Sequence, residues 1–378
     1  MDFTQLLKVM TERGGSDLFI TAGAPPSIKV DGTIKPLTKE SLTAAQSRAL
    51  VYSTMNDKQL AEFEATNECN FALSAHDIGR FRVSAYVQRN SPGMVLRSIA
   101  SHIPSMEELK LPEVIKELAM SKRGLILFVG GTSTGKSTSL ASMIDYRNEN
   151  HAGHIITIED PIEYIHNHKK SIITQREVGL DTDSFETALK NTLRQAPDVI
   201  LMGEIRSSDT MSYGLAFAET GHLCLATLHA NNANQALDRI ISFFPADHHD
   251  QIWMDLSLNL KAIIAQKLVP TKDGKGRRAA IEVMINTPLI QDLIRKGAVH
   301  EIKDVIKKST NLGMKTFDQS LYDLYREDVI TYETALSHAD SANDLRLMIK
   351  LSADGNEKPT QADDMPSFTL QDEEDKRG

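Results

Sequence analysis

The stretch GLILFVGGTSTGKSTSLASMIDYRNE, residues 124 to 149, constrains this chain more than any other. Its first seven residues form a continuous apolar run, the signature of a parallel strand buried on both faces. A glycine-rich loop follows, and then a helix-compatible segment. The loop satisfies G-x-x-x-x-G-K-[ST] with Gly130, Gly135, Lys136 and Ser137. Glycines let backbone N–H groups curl around phosphate oxygens, and the helix N-terminus adds a favourable dipole. Gly130, Gly131, Thr132, Ser133, Thr134, Gly135, Lys136, Ser137 and Thr138 are therefore the candidate phosphate contacts. Lys136 is expected to reach the β- and γ-phosphates and the Ser137 hydroxyl to ligate Mg2+. Ser133 stands where a glycine would ease the turn, so the loop is stiffer than the pattern requires.

Three further segments repeat the buried-strand texture: HIITIE, DVILMG and HLCLATL, with helical patterns between them. Strands alternating with helices specify an α/β core. The acids fall at the C-terminal ends of these strands, where ligands bind in such folds. Glu159, Asp160 and Glu163 follow the first, in ITIEDPIEY. In DVILMGEIR, Gly203 occupies the place of an aspartate that would support magnesium, and Glu204 comes next. TGHLCLATLHANNA places His222 and His229 at the two ends of a strand, with Thr227 and Asn231 nearby. These histidines are either satisfied structural groups or sensors of a γ-phosphate. Their spacing offers no third ligand for a metal.

Ahead of this core, Phe3, Leu6, Leu7 and Met10 share one face of a helix that Gly14-Gly15 ends. DLFIT and SIKVDG read as short strands, the second closing on an Asp31-Gly32 turn. RFRVSAYVQ alternates, with Phe81, Val83, Ala85 and Val87 on one face and Arg80, Arg82 and Ser84 on the other. GMVLRSI, carrying Arg97, is its expected partner after a Ser91-Pro92-Gly93 turn. Residues 1–100 thus read as a small α+β domain, 101–123 as linker and helix, and 124–286 as the α/β core. Residues 287–352 read as short helices, among them PLIQDLIRKG and FDQSLYDLYRE. From 353 to 378 there are eight acids against Lys358, Lys376 and Arg377, with few apolar residues. That composition predicts a disordered acidic tail. Arg82 and Arg97 are candidate arginine fingers acting across a subunit boundary, or else solvated side chains.

In order, these motifs resemble those of the secretion ATPases of the type II/type IV pilus superfamily, and within it the PilT-like retraction branch. GGSDLFITAGAPPSIKVDG is similar to that branch's N-terminal signature. GGTSTGKST resembles its Walker A, ITIEDPIEY its Asp box, DVILMGEIR its Walker B and TGHLCLATLHANNA its His box. FRVSAYVQ, with Arg97 beyond it, resembles the arginine-bearing stretch. A glycine before the glutamate is usual in that family. The resemblance implies a homohexamer with a PAS-like N-terminal domain and a RecA-like P-loop ATPase domain with a helical C-terminal extension. It also implies ATP hydrolysis with Mg2+, Glu204 activating water, and Glu163 beside it. Glu159 and Asp160 belong to an outer shell around the metal. An inner-membrane platform protein is the implied partner, which puts the motor on the cytoplasmic side at the pilus base. LIQDLIRKG departs from that branch's AIRNLIRE signature, with Gln291 in place of an arginine, and the acidic tail is extra. Both departures resemble the PilU-like group, whose members assist a PilT-type motor.

Composition narrows the remaining classes. The 378 residues are 41% apolar and 25% charged with a net charge of −9. This mildly acidic chain lacks basic–aromatic patches, which argues against a nucleic-acid translocase. Only Cys69 and Cys224 occur, too few for a four-thiolate zinc site, and both read as buried apolar side chains. The start shows no secretory signal pattern. A nucleotide-binding adaptor with little hydrolysis of its own stays open beside the motor, motivated by Ser133 and the altered LIQDLIRKG.

Overall fold

Alternation of apolar and polar residues builds the first of two sheets. A computed structural model describes residues 2–30, 32–99 and 102–353. Among these, β1 (Asp17–Ile20), β2 (Ser27–Val30), β3 (Thr33–Pro36), β4 (Glu68–Ala75), β5 (Gly79–Gln88) and β6 (Ser91–Ile99) make a sheet ordered β3-β2-β1-β6-β5-β4. Every neighbouring pair is antiparallel. Three helices, α1 (Phe3–Glu12), α2 (Ala44–Tyr52) and α3 (Asp57–Thr66), belong to the same region. Leu6, Leu7, Met10 and Phe63 from α1 and α3 share one core with Phe81, Val83 and Ala85 of β5. Capping boxes at Thr43 and Asn56 satisfy the first N–H groups of α2 and α3.

The turn between β5 and β6 starts two residues earlier than the sequence suggests. Arg89 and Asn90 take positive φ values of 48° and 60°, and Ser91, Pro92 and Gly93 already belong to β6. A two-residue hairpin needs two left-handed residues, and Pro92, with φ fixed negative, cannot supply one. Pro92 lies past Met94, where pairing with β1 stops, so its missing N–H leaves no ladder bond unmade.

After α4 (Val114–Ala119), the second sheet is built from β7 (Gly124–Val129), β8 (His154–Glu159), β9 (Ile172–Glu177), β10 (Val199–Met202), β11 (Leu223–Leu228), β12 (Leu260–Pro270) and β13 (Arg277–Ile285). Its order is β13-β12-β7-β11-β10-β8-β9, and the pairings from β12 to β9 are parallel. β7, β10 and β11 are buried along their whole length, as their unbroken apolar runs require. Between the strands run α5 (Lys136–Asn150), α6 (Phe185–Thr192), α7 (Ser208–Glu219), α8 (Ala233–Ser242) and α9 (His249–Asn259). The short helices α10 (Pro288–Arg295), α11 (Ile302–Lys308), α12 (Phe317–Arg326), α13 (Tyr332–His338) and α14 (Ala342–Ala353) follow. The α/β class and the two-part plan of an antiparallel α+β region ahead of a mostly parallel core match the sequence reading.

The described residues fall into two compact units, one within Met1–Leu268 and Ala279–Thr316, the other Val269–Arg278 with residues 317–353. Both sheets' cores and the α5 loop belong to the first. Asp31 of the expected turn, and residues 354–378 of the acidic tail, lie outside the described residues. Cys69 and Cys224 are both free and buried. Among the described residues, no helix is long and apolar enough to cross a membrane.

Candidate active site

The loop between β7 and α5 is held open by contacts that only glycine permits. A Cβ on Gly130 (φ 157°) would stand 2.6 Å from both the Gln266 carbonyl and Thr134 Oγ1. One on Gly135 (φ 88°) would stand 2.7 Å from Gln266 Nε2. Ser133 takes a left-handed φ of 60° without being glycine, a strained conformation for a side chain. Gln266 of β12 is buried and fastens the loop: its Nε2 donates to the Thr134 carbonyl at 2.9 Å, and its Oε1 accepts from Ser139 Oγ at 2.9 Å. Lys136 folds back, its Nζ donating to the Gly130 and Gly131 carbonyls at 3.0 and 2.6 Å. Burial pushes its ammonium below the usual lysine value, and the Glu204 carboxylate opposes that.

Glu204 lies across a cleft of about 340 Å³ that Ser133, Lys136 and Ser137 also line. Both its oxygens are engaged. Oε2 accepts from Arg206 Nε at 2.8 Å, and Oε1 lies 3.1 Å from His229 Nε2. The bond to Glu204 holds the Arg206 guanidinium above its ordinary value. The absent aspartate before Glu204 has a steric reason. A Cβ on Gly203 would meet the Glu159 Cα and the Ile158 carbonyl, each at 3.2 Å, so a side chain here requires the ends of β8 and β10 to give by a few tenths of an ångström. Gly203 N donates to that same Ile158 carbonyl at 2.8 Å, and its own carbonyl accepts from Thr227 Oγ1.

Glu159, Asp160 and Glu163 line the same cleft. Burial pushes the Glu159 carboxyl up, although Thr157 Oγ1 and Gln175 Nε2 donate to its Oε1 at 2.7 and 3.3 Å. Tyr164 OH lies 2.9 Å from Thr138 Oγ1, tying the acidic loop to the start of α5. With Ser137, the acids present hard oxygen donors that suit Mg2+. His166 also lines the cleft; it is buried, and its Nδ1 has no hydrogen-bond partner.

Not every sequence candidate reaches this cleft. Thr227 and His229 line it, whereas His222 sits at the other end of β11 with Nδ1 3.1 Å from Thr220 Oγ1. Because β11 runs parallel to β7, its C-terminal end, with His229, shares the edge that carries the phosphate loop, and His222 at the other end does not line this cleft. Arg82 and Arg97, cross-strand neighbours, line a different cleft, and Arg97 Nε donates to Asp17 Oδ1 at 2.9 Å. Sequence reasoning passed over Gln266, Arg206 and His166. A polar residue inside the apolar run of β12 was the available signal for the first. Arg206 lay within the quoted DVILMGEIR.

Residues 2–324 match the family described as Type II/IV secretion system protein. The chain belongs to that family. It is 67% identical over 369 residues to a Pseudomonas aeruginosa protein named Type IV pilus ATPase PilU, covering 98% of this chain and 95% of that one. It is 43% identical over 339 residues to Type IV pilus retractation ATPase PilT of the same organism, covering 90% and 98%. A crystal structure of the pilus retraction motor PilT with bound ADP superposes with a TM-score of 0.86 at 41% identity, covering 92% of this chain and all of the other. The shared fold is an N-terminal domain followed by a RecA-like ATPase domain.

Proposed function

We propose that this chain is the subunit of a homohexameric, Mg2+-dependent ATPase motor that powers or assists type IV pilus retraction together with a PilT-type motor. One observation carries the reading: the phosphate loop and Glu204 line one cleft, in a chain 67% identical to a type IV pilus ATPase. The functional division follows the sequence, with residues 1–100 as N-terminal domain, 101–123 as linker, 124–286 as ATPase core and 287–352 as a helical region. The motor acts at the cytoplasmic side of the inner membrane, on a platform protein at the pilus base.

Lys136 leaves the Gly130 and Gly131 carbonyls for the β- and γ-phosphates of ATP, while the loop N–H groups of residues 131 to 138 hold the remaining oxygens. Ser137 would hold Mg2+, with Glu159 and Asp160 in the outer shell, and the bound cation would supply neutralisation of phosphate charge. Glu204 orients the attacking water and accepts its proton, and Glu163 completes the polar shell. His229 registers the γ-phosphate through its contact with Glu204. Arg82 or Arg97 of a neighbouring copy stabilises charge on the transferring phosphoryl group.

Steady-state ATPase measurements on the wild type and Glu204→Ala test this. The wild type is expected to hydrolyse ATP, with the variant slowed strongly but still binding nucleotide. Equal, near-background rates would sink the motor reading. Full rescue of twitching motility by Lys136→Ala in a deletion strain would remove ATP use from the role. A second reading, a nucleotide-binding co-motor with little hydrolysis, is favoured by the two partners that occupy Glu204 and by the strained Ser133. Wild-type rates at background, with nucleotide binding and pilus effects intact, would select it.

A further inference from the structure

The sheet face bearing Arg80, Arg82 and Arg97 is not simply a solvated surface. It forms one side of a second cleft of about 630 Å³, whose other side is the end of β9 and the turn after it, Glu177 to Leu180. Asp17 engages Arg97. Arg80 Nε is buried without a hydrogen-bond partner. Facing these arginines is Glu177, a carboxylate only 2% exposed. Its Oε2 accepts from the Ile162 N–H at 3.3 Å, a long bond and a modest compensation for a buried charge. Ile162 lies in the acidic loop between Asp160 and Glu163, both of which line the nucleotide cleft.

Burial raises the Glu177 carboxyl above its ordinary value; the Ile162 N–H, then Arg82, then Arg80, oppose that shift and favour the charged form. The neighbouring Asp181 acts the other way, and its Oδ2 accepts from the Glu177 N–H at 2.9 Å. A buried carboxylate that loses its cations is strongly destabilised. The carboxylate therefore ties the position of the first sheet to the position of the acidic loop.

We propose that Glu177 is a positioning residue that couples the two clefts: its carboxylate is the counter-charge for Arg82 and Arg80, and the same carboxylate holds the Ile162 N–H beside the nucleotide. Movement of the sheet that withdraws the arginines releases Ile162, and with it Glu163 and Asp160. This rests on the proposed function for its consequence in hydrolysis, though not for the coupling itself.

The test is a double-mutant cycle of Glu177→Gln and Arg82→Gln in the full chain, read in two ways. Glu177→Gln keeps the shape and an acceptor for Ile162 while removing the charge. Hydrogen exchange of the segment 160–164, without nucleotide, is expected to speed up at least about threefold in each single variant, and no further in the double one. Arg82→Lys, which keeps the charge, should restore slow exchange. In ATPase assays Glu177→Gln should lower kcat and leave KM for ATP within about twofold. Additive exchange effects, or exchange unchanged in all variants, would overturn the coupling. A uniform loss of protection across the chain, with a lowered melting temperature, would overturn it too, by making the role merely structural. Exchange needs no hydrolysis, so a wild type without ATPase activity would defeat the motor reading and leave the coupling separately decided.

Discussion

His229 Nε2 lies 3.1 Å from Glu204 Oε1, on the opposite side of that carboxylate from Arg206. The histidine fixes one oxygen while the arginine holds the other. Glu204→Gln should lower kcat by about 10² to 10³ through loss of the base. His229→Ala leaves Glu204 charged but less well aimed, and should cost about tenfold. Single-turnover hydrolysis beside nucleotide-binding measurements checks both, with affinity retained in each protein.

Restoring the acid that DVILMGEIR lacks should harm the protein. Gly203→Asp brings a Cβ to 3.2 Å from the Glu159 Cα and the Ile158 carbonyl, and relieving the contact means shifting backbone in paired strands by a few tenths of an ångström. We expect a loss of about 1–3 kcal/mol in stability and no gain in activity. Gly203→Ala should lose a similar amount, since the clash begins at Cβ. Chemical denaturation of the two variants measures this.

Gln266 is expected to matter more than its place in a strand suggests. Gln266→Leu removes both bonds that tie the phosphate loop to β12 and leaves the Thr134 carbonyl and the Ser139 hydroxyl unpaired. One buried hydroxyl and one half-buried carbonyl left unpaired cost about 1–3 kcal/mol. Nucleotide affinity should fall along with stability, because the loop amides lose their frame. Isothermal titration with ADP, paired with thermal melting, separates the two losses.

His166 predicts a pH dependence. Burial takes its imidazole down from 6.5 to about 4, with Asp145 opposing and Lys169 reinforcing the shift. The unfolded chain therefore takes up the proton first as pH falls. The stability held by neutral His166 is complete above 6.5 and is lost as pH drops towards 4. The linked free energy is about 3 kcal/mol. His166→Leu should flatten the fall in stability across that window, measured by denaturant titrations at a series of pH values.

Much of this site was legible because its elements are local. The α5 loop announces itself by spacing, and β7, β10 and β11 by unbroken apolar runs. Alternation in RFRVSAYVQ gave the two faces of β5 correctly. What the chain order concealed is whatever depends on a distant partner. Gln266 reaches a loop more than a hundred residues away. The arginine face looked solvated because nothing near it in sequence points to Glu177. His222 and His229 looked equivalent because both flank one strand, and only the parallel pairing with β7 separates their edges. β9 and β12 mix polar and apolar residues, so neither period stands out. At the β5–β6 turn, Pro92-Gly93 drew attention from Arg89-Asn90, where the positive φ values lie.

The close contact at Gly203 has a mechanical meaning. With no side chain between them, the ends of β8 and β10 rest backbone against backbone, so Glu159 and Glu204 ride on a single stiff mounting. A stroke that displaces one of these two carboxylates carries the other with it. What adjusts the chemistry from one turnover to the next must then come from outside that mounting, from the loop on one side and the arginines on the other.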